Sequence, residues 1–471
     1  MPLRSLQALH SHMNNHPEAP NGGMPANQKL ARVIGFTGSV SIVVGTIIGS
    51  GIFLVPHNMA LELHSAAALL SVWVIGGALA LAGALSLAEL GAAIPQSGGV
   101  YVYLREAFGR LPAFLYGWGL FLVMQSGSIA TLAVAFGIYS AAFLPVGPAS
   151  QKWIACGLVA LLTGVNIIGT RQSSWVQTAF TVAKLSGLAL LVVCAIFYRP
   201  AAAPMGLPTA LTPHVGLNAW SVALIGVLWG YEGWHMLSFT AGEVRNPARI
   251  LPRSYLLGTA IVVAAYLLAN IAYLRVLSLN GLALHQRVAA QTMEQIAGRR
   301  GAVFVSALIL CSIFGAANGT ILTGPRVYYA MAGDGLFFSA ARKLHPRFRT
   351  PALAIGIQGI WSMALAASGS YEQLYTYVIF CAWIFYGLAV AGLIVLRIRR
   401  PRLERPYKAW GYPVLPALFC LAAVLVALST LRARPLESLV GIVVIMAGAP
   451  VYFVLRRFAR SAAQTGASNV L

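Results

Sequence analysis

The residues able to do chemistry cluster in two short stretches and at one isolated cation. The stretch 45–53 reads Gly-Thr-Ile-Ile-Gly-Ser-Gly-Ile-Phe and lies inside an apolar run over 33–63. Two glycines around a serine oppose a continuous helix there, because glycine is costly in a helix interior. In hydrocarbon a broken helix survives only where its freed backbone groups face protein or a wet cavity. The half-helix starting at Gly51 presents unpaired N–H groups and the positive end of its dipole, which suits an anion such as a carboxylate, and Ser50 adds a hydroxyl donor. The half-helix ending near Ile47 offers unpaired carbonyls, which suit an ammonium group. A second interruption, 229–234, reads Trp-Gly-Tyr-Glu-Gly-Trp and offers carbonyls again near Trp229. A carboxylate holder beside an ammonium holder describes an amino acid.

Two ionisable residues stand out within the apolar runs. Lys184 lies about ten residues from either end of its run, and a lysine at that depth usually marks function. The alternative, snorkelling to an interface, requires a position nearer an end. Glu232, inside the second break, could pair with the side chain of a cationic substrate; equally, it could bond neighbouring backbone or His235. Glu89 is expected to pair with a nearby arginine, and Glu243 faces several basic residues. Neither is specific enough to assign a role.

These residues need helices to position them. The chain has 471 residues, 58% hydrophobic and only 9% charged, too apolar for a soluble globular protein, in which about a quarter of residues are charged. Apolar runs of membrane-crossing length are expected near 33–63, 66–93, 112–144, 152–169, 174–198, 216–241, 254–276, 302–331, 352–368, 372–397, 412–431 and 437–456, giving an all-α membrane protein of twelve transmembrane helices. Five spans separate the two breaks. An odd separation makes them enter the membrane from opposite sides, as an inverted repeat of five plus five helices requires. Paired interruptions of this kind are the best sequence pointer to the binding site of a secondary transporter. A small-residue packing site would explain the first break alone but does not require the second.

A net charge of +21 would suit nucleic acid, but the basic residues sit in short clusters between spans, with no continuous basic face. Counting lysine and arginine by side places 23 of 32 with both termini and 8 opposite, the remainder being Lys184, so both termini are expected in the cytoplasm. Residues 1–28 read as a disordered cytoplasmic tail, 29–400 as a ten-helix core, and 401–471 as helices eleven and twelve with a cytoplasmic C-terminus. The loops are expected to be short apart from an external one over about 277–300 and a cytoplasmic one over about 332–351. The five cysteines read as buried free thiols without a disulfide framework. His10, His12 and His16 lie in the tail, and no metal or cofactor site is expected. An embedded enzyme would need paired acids, a histidine cluster or an activated nucleophile within the spans, and the sequence has none. A channel would not need two opposed breaks around a central site.

The two breaks, together with 95–101 (Pro-Gln-Ser-Gly-Gly-Val-Tyr), 242–247 (Gly-Glu-Val-Arg-Asn-Pro) and 400–406 (Arg-Pro-Arg-Leu-Glu-Arg-Pro), resemble the signature stretches of the L-type amino acid transporter family, within the amino acid, polyamine and organocation superfamily. The resemblance runs over all twelve expected spans. It implies the leucine-transporter-type fold and sodium-independent transport of L-amino acids, usually by obligatory exchange of neutral ones. Carried over by position, it implies that Ser50 and Gly51 bind the substrate carboxylate, and that carbonyls of Ile47, Trp229 and Glu232 hold the amine. Trp229 would be the aromatic gate, and Asn318 would line the pocket. Lys184 falls near the place where sodium sits in sodium-coupled relatives, so its ammonium would replace that ion. An acid at 232 departs from the small residue more usual in neutral-substrate members and matches members that take cationic amino acids, so a cationic or broad specificity stays open, as do proton coupling and facilitated diffusion. Animal members attach to a single-pass glycoprotein through an external cysteine. The segment 145–151 has no cysteine, so no disulfide-linked partner is expected, and a bacterial inner membrane is the expected location.

Overall fold

The computed structural model describes residues 32–144, 147–168, 173–199, 216–348 and 350–464. The expected N-terminal tail, 1–28, lies outside them. Among the described residues the regular structure is all helical apart from one isolated bridge pairing Ile34 with Val244. Among the described residues, ten helices are long and apolar enough to cross a membrane, and Ala352–Ser368 is a shorter apolar helix. The protein is therefore a multi-pass membrane protein.

The first apolar run forms two helices, α1 (Phe36–Ile47) and α2 (Gly51–Leu63), separated by an irregular link. Next come α3 (Ala66–Ala93), a short α4 (Val100–Phe108) that no apolar run announced, α5 (Arg110–Ser140), α6 (Pro148–Ile168) and α7 (Ser173–Phe197). Residues 120–124 of α5 are wound as a π turn. The sixth run is also split. Helix α8 (Leu217–Gly230) ends at the second break, and the chain continues as a 3-10 helix, Trp234–Glu243. Then follow α9 (Pro247–Leu284), α10 (Val288–Thr323), α11 (Pro325–Gly333), α12 (Ala352–Ser368), α13 (Tyr371–Arg399), α14 (Val414–Ala433) and α15 (Pro435–Gln464).

The structure corrects two expectations. Residues 277–300 are largely helical, because α9 and α10 continue past kinks at Ser278 and at Ala297–Gly298. Hydropathy measures how long an apolar run is and cannot see a helix that continues beyond it. Of the five thiols only Cys381 is buried; Cys156, Cys194 and Cys420 are half-buried and Cys311 is exposed, since a thiol in a membrane span is equally at home against lipid.

The two broken spans sit in the interior, packed against each other and walled by α3, α5, α7, α9, α10 and α13. A side chain at Gly51 would place its Cβ 2.4 Å from Gly230 Cα, so the breaks touch backbone to backbone and only glycines permit it. Gly233, with φ of 115°, turns the chain into the 3-10 segment at a conformation that L side chains rarely adopt. Further out, Leu418, Leu421, Leu425, Leu428, Val443 and Met446 of α14 and α15 are exposed, as expected of side chains whose solvent is lipid.

Candidate functional site

The link between α1 and α2 is held open by side chains from three other helices. The ammonium of Lys184, on α7, donates to the carbonyls of Gly45 at 2.9 Å, Ile48 at 2.7 Å and Ser312 at 3.2 Å. Its three N–H donors thus meet three carbonyls, at the C-terminal, negative end of α1. Lys184 is 2% exposed, which excludes snorkelling. Ser312 also donates its hydroxyl to Ile48 O at 3.2 Å, and the Tyr266 hydroxyl donates to Ile47 O at 3.0 Å. The carbonyls freed by the first break are therefore largely taken by the protein.

The second break is tied to the first. Thr46 donates to Gly233 O at 3.1 Å, and Ile34 and Val244 fasten the start of α1 to the end of the 3-10 segment through Ile34 N to Glu243 O at 3.0 Å and Arg245 N to Ile34 O at 2.8 Å. The Glu232 side chain is buried. The Tyr386 hydroxyl donates to its Oε1 at 2.5 Å, and His235 Nδ1 lies 3.5 Å from the same oxygen and 2.8 Å from the Tyr386 hydroxyl. Glu232 Oε2 is buried without a partner among the described residues.

Between the breaks lies a small cavity of about 20 Å³, lined by Thr46, Ile47, Gly49, Ser50, Gly51, Ser128, Leu132, Trp229, Glu232, Met236 and Thr320. Five of the residues singled out from the sequence meet here: Ile47, Ser50, Gly51, Trp229 and Glu232. Asn318 is not among the lining residues; its Oδ1 accepts from Asn166 Nδ2 at 2.8 Å, and Thr320, two residues on, reaches the cavity instead. The first-turn N–H groups of α2 begin at Gly51, on the cavity wall, as an anion site requires. Free space of this size holds about one water molecule, so a larger ligand enters only when the wall moves.

Sequence reasoning missed Thr46, Ser128, Met236 and Thr320 on the wall, and the supporting tyrosines 266, 371 and 386. Tyr371 closes one end, its hydroxyl 3.1 Å from Ser50 Oγ and accepting from Trp229 Nε1 at 2.9 Å. Beyond it opens a larger cavity of about 370 Å³ whose lining includes Asn58, Gln151, Lys152, Gln286, Tyr371 and Glu372.

At the ends of the helices toward 96–109, 243–247 and 326–343, ion pairs brace the bundle. Arg326 Nε donates to Glu243 at 3.1 Å. Arg397 binds Glu89 through two bonds of 2.8 and 2.5 Å, and Ala409 N donates to the same carboxylate at 2.6 Å. Arg105 and Tyr101 both donate to Asp334 at 2.7 Å. Burial first, and the Asp334 charge second, push the Tyr101 hydroxyl well above its usual range, so it remains a donor.

Over residues 34–463 the chain matches the amino acid permease family. It is 34% identical to the human b(0,+)-type amino acid transporter 1 over 91% of this chain and 89% of that protein. It is 33% identical to the serine/threonine exchanger SteT of Bacillus subtilis, over 91% and 98% of the two chains. To the human cystine/glutamate transporter it is 30% identical over 93% and 88%.

Proposed function

The chain belongs to the amino acid permease family, and we propose that it is a sodium-independent secondary transporter that exchanges L-amino acids by alternating access. Ser50 and the N–H groups at Gly51 take the substrate carboxylate, while carbonyls of Ile47, Trp229 and Glu232 take its amine. Trp229 is the gate over the site. Asn318 supports α10 through Asn166 and acts on the pocket indirectly. The twelve spans form a ten-helix inverted repeat over 29–400, followed by two helices over 401–471, with both termini cytoplasmic. The chain works without a disulfide-linked partner, in a bacterial plasma membrane.

One observation carries this reading: the Lys184 ammonium bonded to carbonyls of Gly45, Ile48 and Ser312. A side-chain donor at the back of the first break, bonded to three carbonyls, holds the unwound link without a dissociable metal ion, so the site needs no sodium. Counterflow in proteoliposomes tests it. Labelled substrate preloaded inside should leave faster when any of a panel of twenty L-amino acids that the protein accepts is added outside, equally in sodium and in choline. Strict sodium dependence, or release indifferent to external amino acid, would refute the proposal.

A second reading concerns specificity. Neutral amino acids fit an apolar wall of Leu132 and Met236, but Glu232 Oε2, buried beside the cavity and without a partner among the described residues, favours a transporter that also accepts cationic side chains. Competition by L-arginine against labelled L-leucine separates the two readings.

A further inference from the structure

We infer that Tyr371 is the latch that closes the site toward the larger cavity and that its hydroxyl binds the substrate carboxylate together with Ser50; the inference rests on the amino acid reading above. Tyr371 is 7% exposed and forms part of the partition between two spaces. It lines the larger cavity, while its two partners, Ser50 and Trp229, line the small one. Two tyrosines one helical turn apart on α13 hold the gate. The Tyr371 hydroxyl takes the Trp229 indole N–H at 2.9 Å, and the Tyr375 ring stacks on the Trp229 ring with centroids 6.2 Å apart and planes 14° from parallel. The Tyr375 hydroxyl is itself anchored by Asn58 Nδ2 at 3.4 Å.

The count of hydrogens makes the latch a ligand site. An indole N–H can only donate, so its bond to Tyr371 has one direction. The Ser50 and Tyr371 hydroxyls, 3.1 Å apart, share one hydrogen between them and own two. Whichever of them donates, one hydroxyl hydrogen is left over, beside the N–H groups that open α2 at Gly51. That spare donor is what a carboxylate needs. A ligand carrying a carboxylate therefore stabilises the closed latch, whereas one lacking it does not, and a ligand shifts a conformational equilibrium only through such differential binding.

Tyr371→Phe keeps the ring and removes the hydroxyl. Counterflow in proteoliposomes would be inhibited with three probe pairs: L-leucine and L-leucinamide, L-serine and L-serinamide, L-arginine and L-argininamide. In the variant the apparent affinity for the acids should fall about tenfold, as for loss of a hydrogen bond to a charged group, while the amides change little, so the preference for acid over amide shrinks about tenfold. In the same vesicles, a membrane-impermeant thiol reagent should inactivate Ser128→Cys protein several-fold faster when Tyr371→Phe is also present, because Ser128 lies behind the latch. If Tyr371→Phe does not fold, Trp229→Phe removes the indole donor and should speed the reaction of the Ser128→Cys thiol without narrowing the acid-to-amide preference. Wild-type counterflow, with both the preference and the thiol reactivity unchanged in Tyr371→Phe, would overturn the latch alone. Wild type without counterflow for any probe would instead remove the function on which it rests.

Discussion

The two broken spans differ in what becomes of their freed polar groups. In the first, the protein supplies the partners: Lys184 holds Gly45 and Ile48, Ser312 holds Ile48 again, and Tyr266 holds Ile47. In the second, Thr46 likewise holds Gly233 O, but the Glu232 side chain is bonded at one carboxylate oxygen by Tyr386 and, among the described residues, has no partner at the other. A break saturated from behind has one shape, which suits recognition of the carboxylate and amine common to all amino acids. A break with an unsatisfied buried acid is energetically poised for a partner, which suits recognition of what varies, the side chain. The first break thus sets the class of ligand, and the second selects within it.

Removing the cation behind the first break should have the largest effect. Lys184→Ala deletes three charge-assisted bonds at once, each worth about 1.5–3 kcal/mol. Counterflow should fall by about a hundredfold or more for neutral and cationic probes alike. Full activity in the variant, or a loss confined to one side-chain class, would break the division between the two spans. Next in size is the contact between the breaks. Gly51→Ala forces a methyl group against Gly230 Cα at 2.4 Å, and overpacking of this kind costs about 1–3 kcal/mol. A lowered midpoint of thermal unfolding in detergent, with transport of every probe reduced, is the expected result.

Much of this site is legible in the sequence because glycine inside an apolar run has few meanings. Ser50, Gly51, Ile47, Trp229 and Glu232 are found by their position at such interruptions, and they line one cavity. Tyr371, Tyr266 and Tyr386 leave no comparable trace, since a tyrosine in an apolar span reads equally well as packing, interfacial belt or hydrogen-bond donor. The same holds for Ser128 and Thr320, each of which also bonds a carbonyl of its own helix. Asn318 is marked only by the family resemblance, and its amide oxygen accepts from Asn166 on α6, a pairing across 152 residues that no local pattern encodes. The tether of the 3-10 segment Trp234–Glu243 to Ile34 likewise joins residues far apart in the chain and leaves no local trace.

The second break offers the sharper test of selection. Glu232→Gln keeps the size and the bond from Tyr386 but removes the negative charge. Inhibition of labelled L-leucine counterflow by L-arginine should weaken about tenfold, the order of a charge-assisted bond, while inhibition by unlabelled L-leucine stays within about twofold. An equal loss for both would mean that Glu232 shapes the break rather than reads a side chain.

The smallest expected effect probes how much of the first break's rigidity lies in a single neutral bond. Tyr266→Phe removes the hydroxyl that donates to Ile47 O at 3.0 Å and leaves the ring in its edge contact with Trp73 and its tilted contact with Tyr231. Hydrogen bonds between helices in membranes average about 0.6 kcal/mol, so a change of about threefold in apparent affinity is expected, equal for neutral and cationic probes. Its direction is informative. If Ile47 O binds the substrate amine, freeing it from Tyr266 removes a competitor for the carbonyl and adds slack to the link, two effects of opposite sign. A tightening would mean that competition dominates and would identify Ile47 O as an amine acceptor; a weakening would mean that the tyrosine orients the carbonyl. A change restricted to L-arginine would place side-chain selection in the first break and undo the contrast between the two.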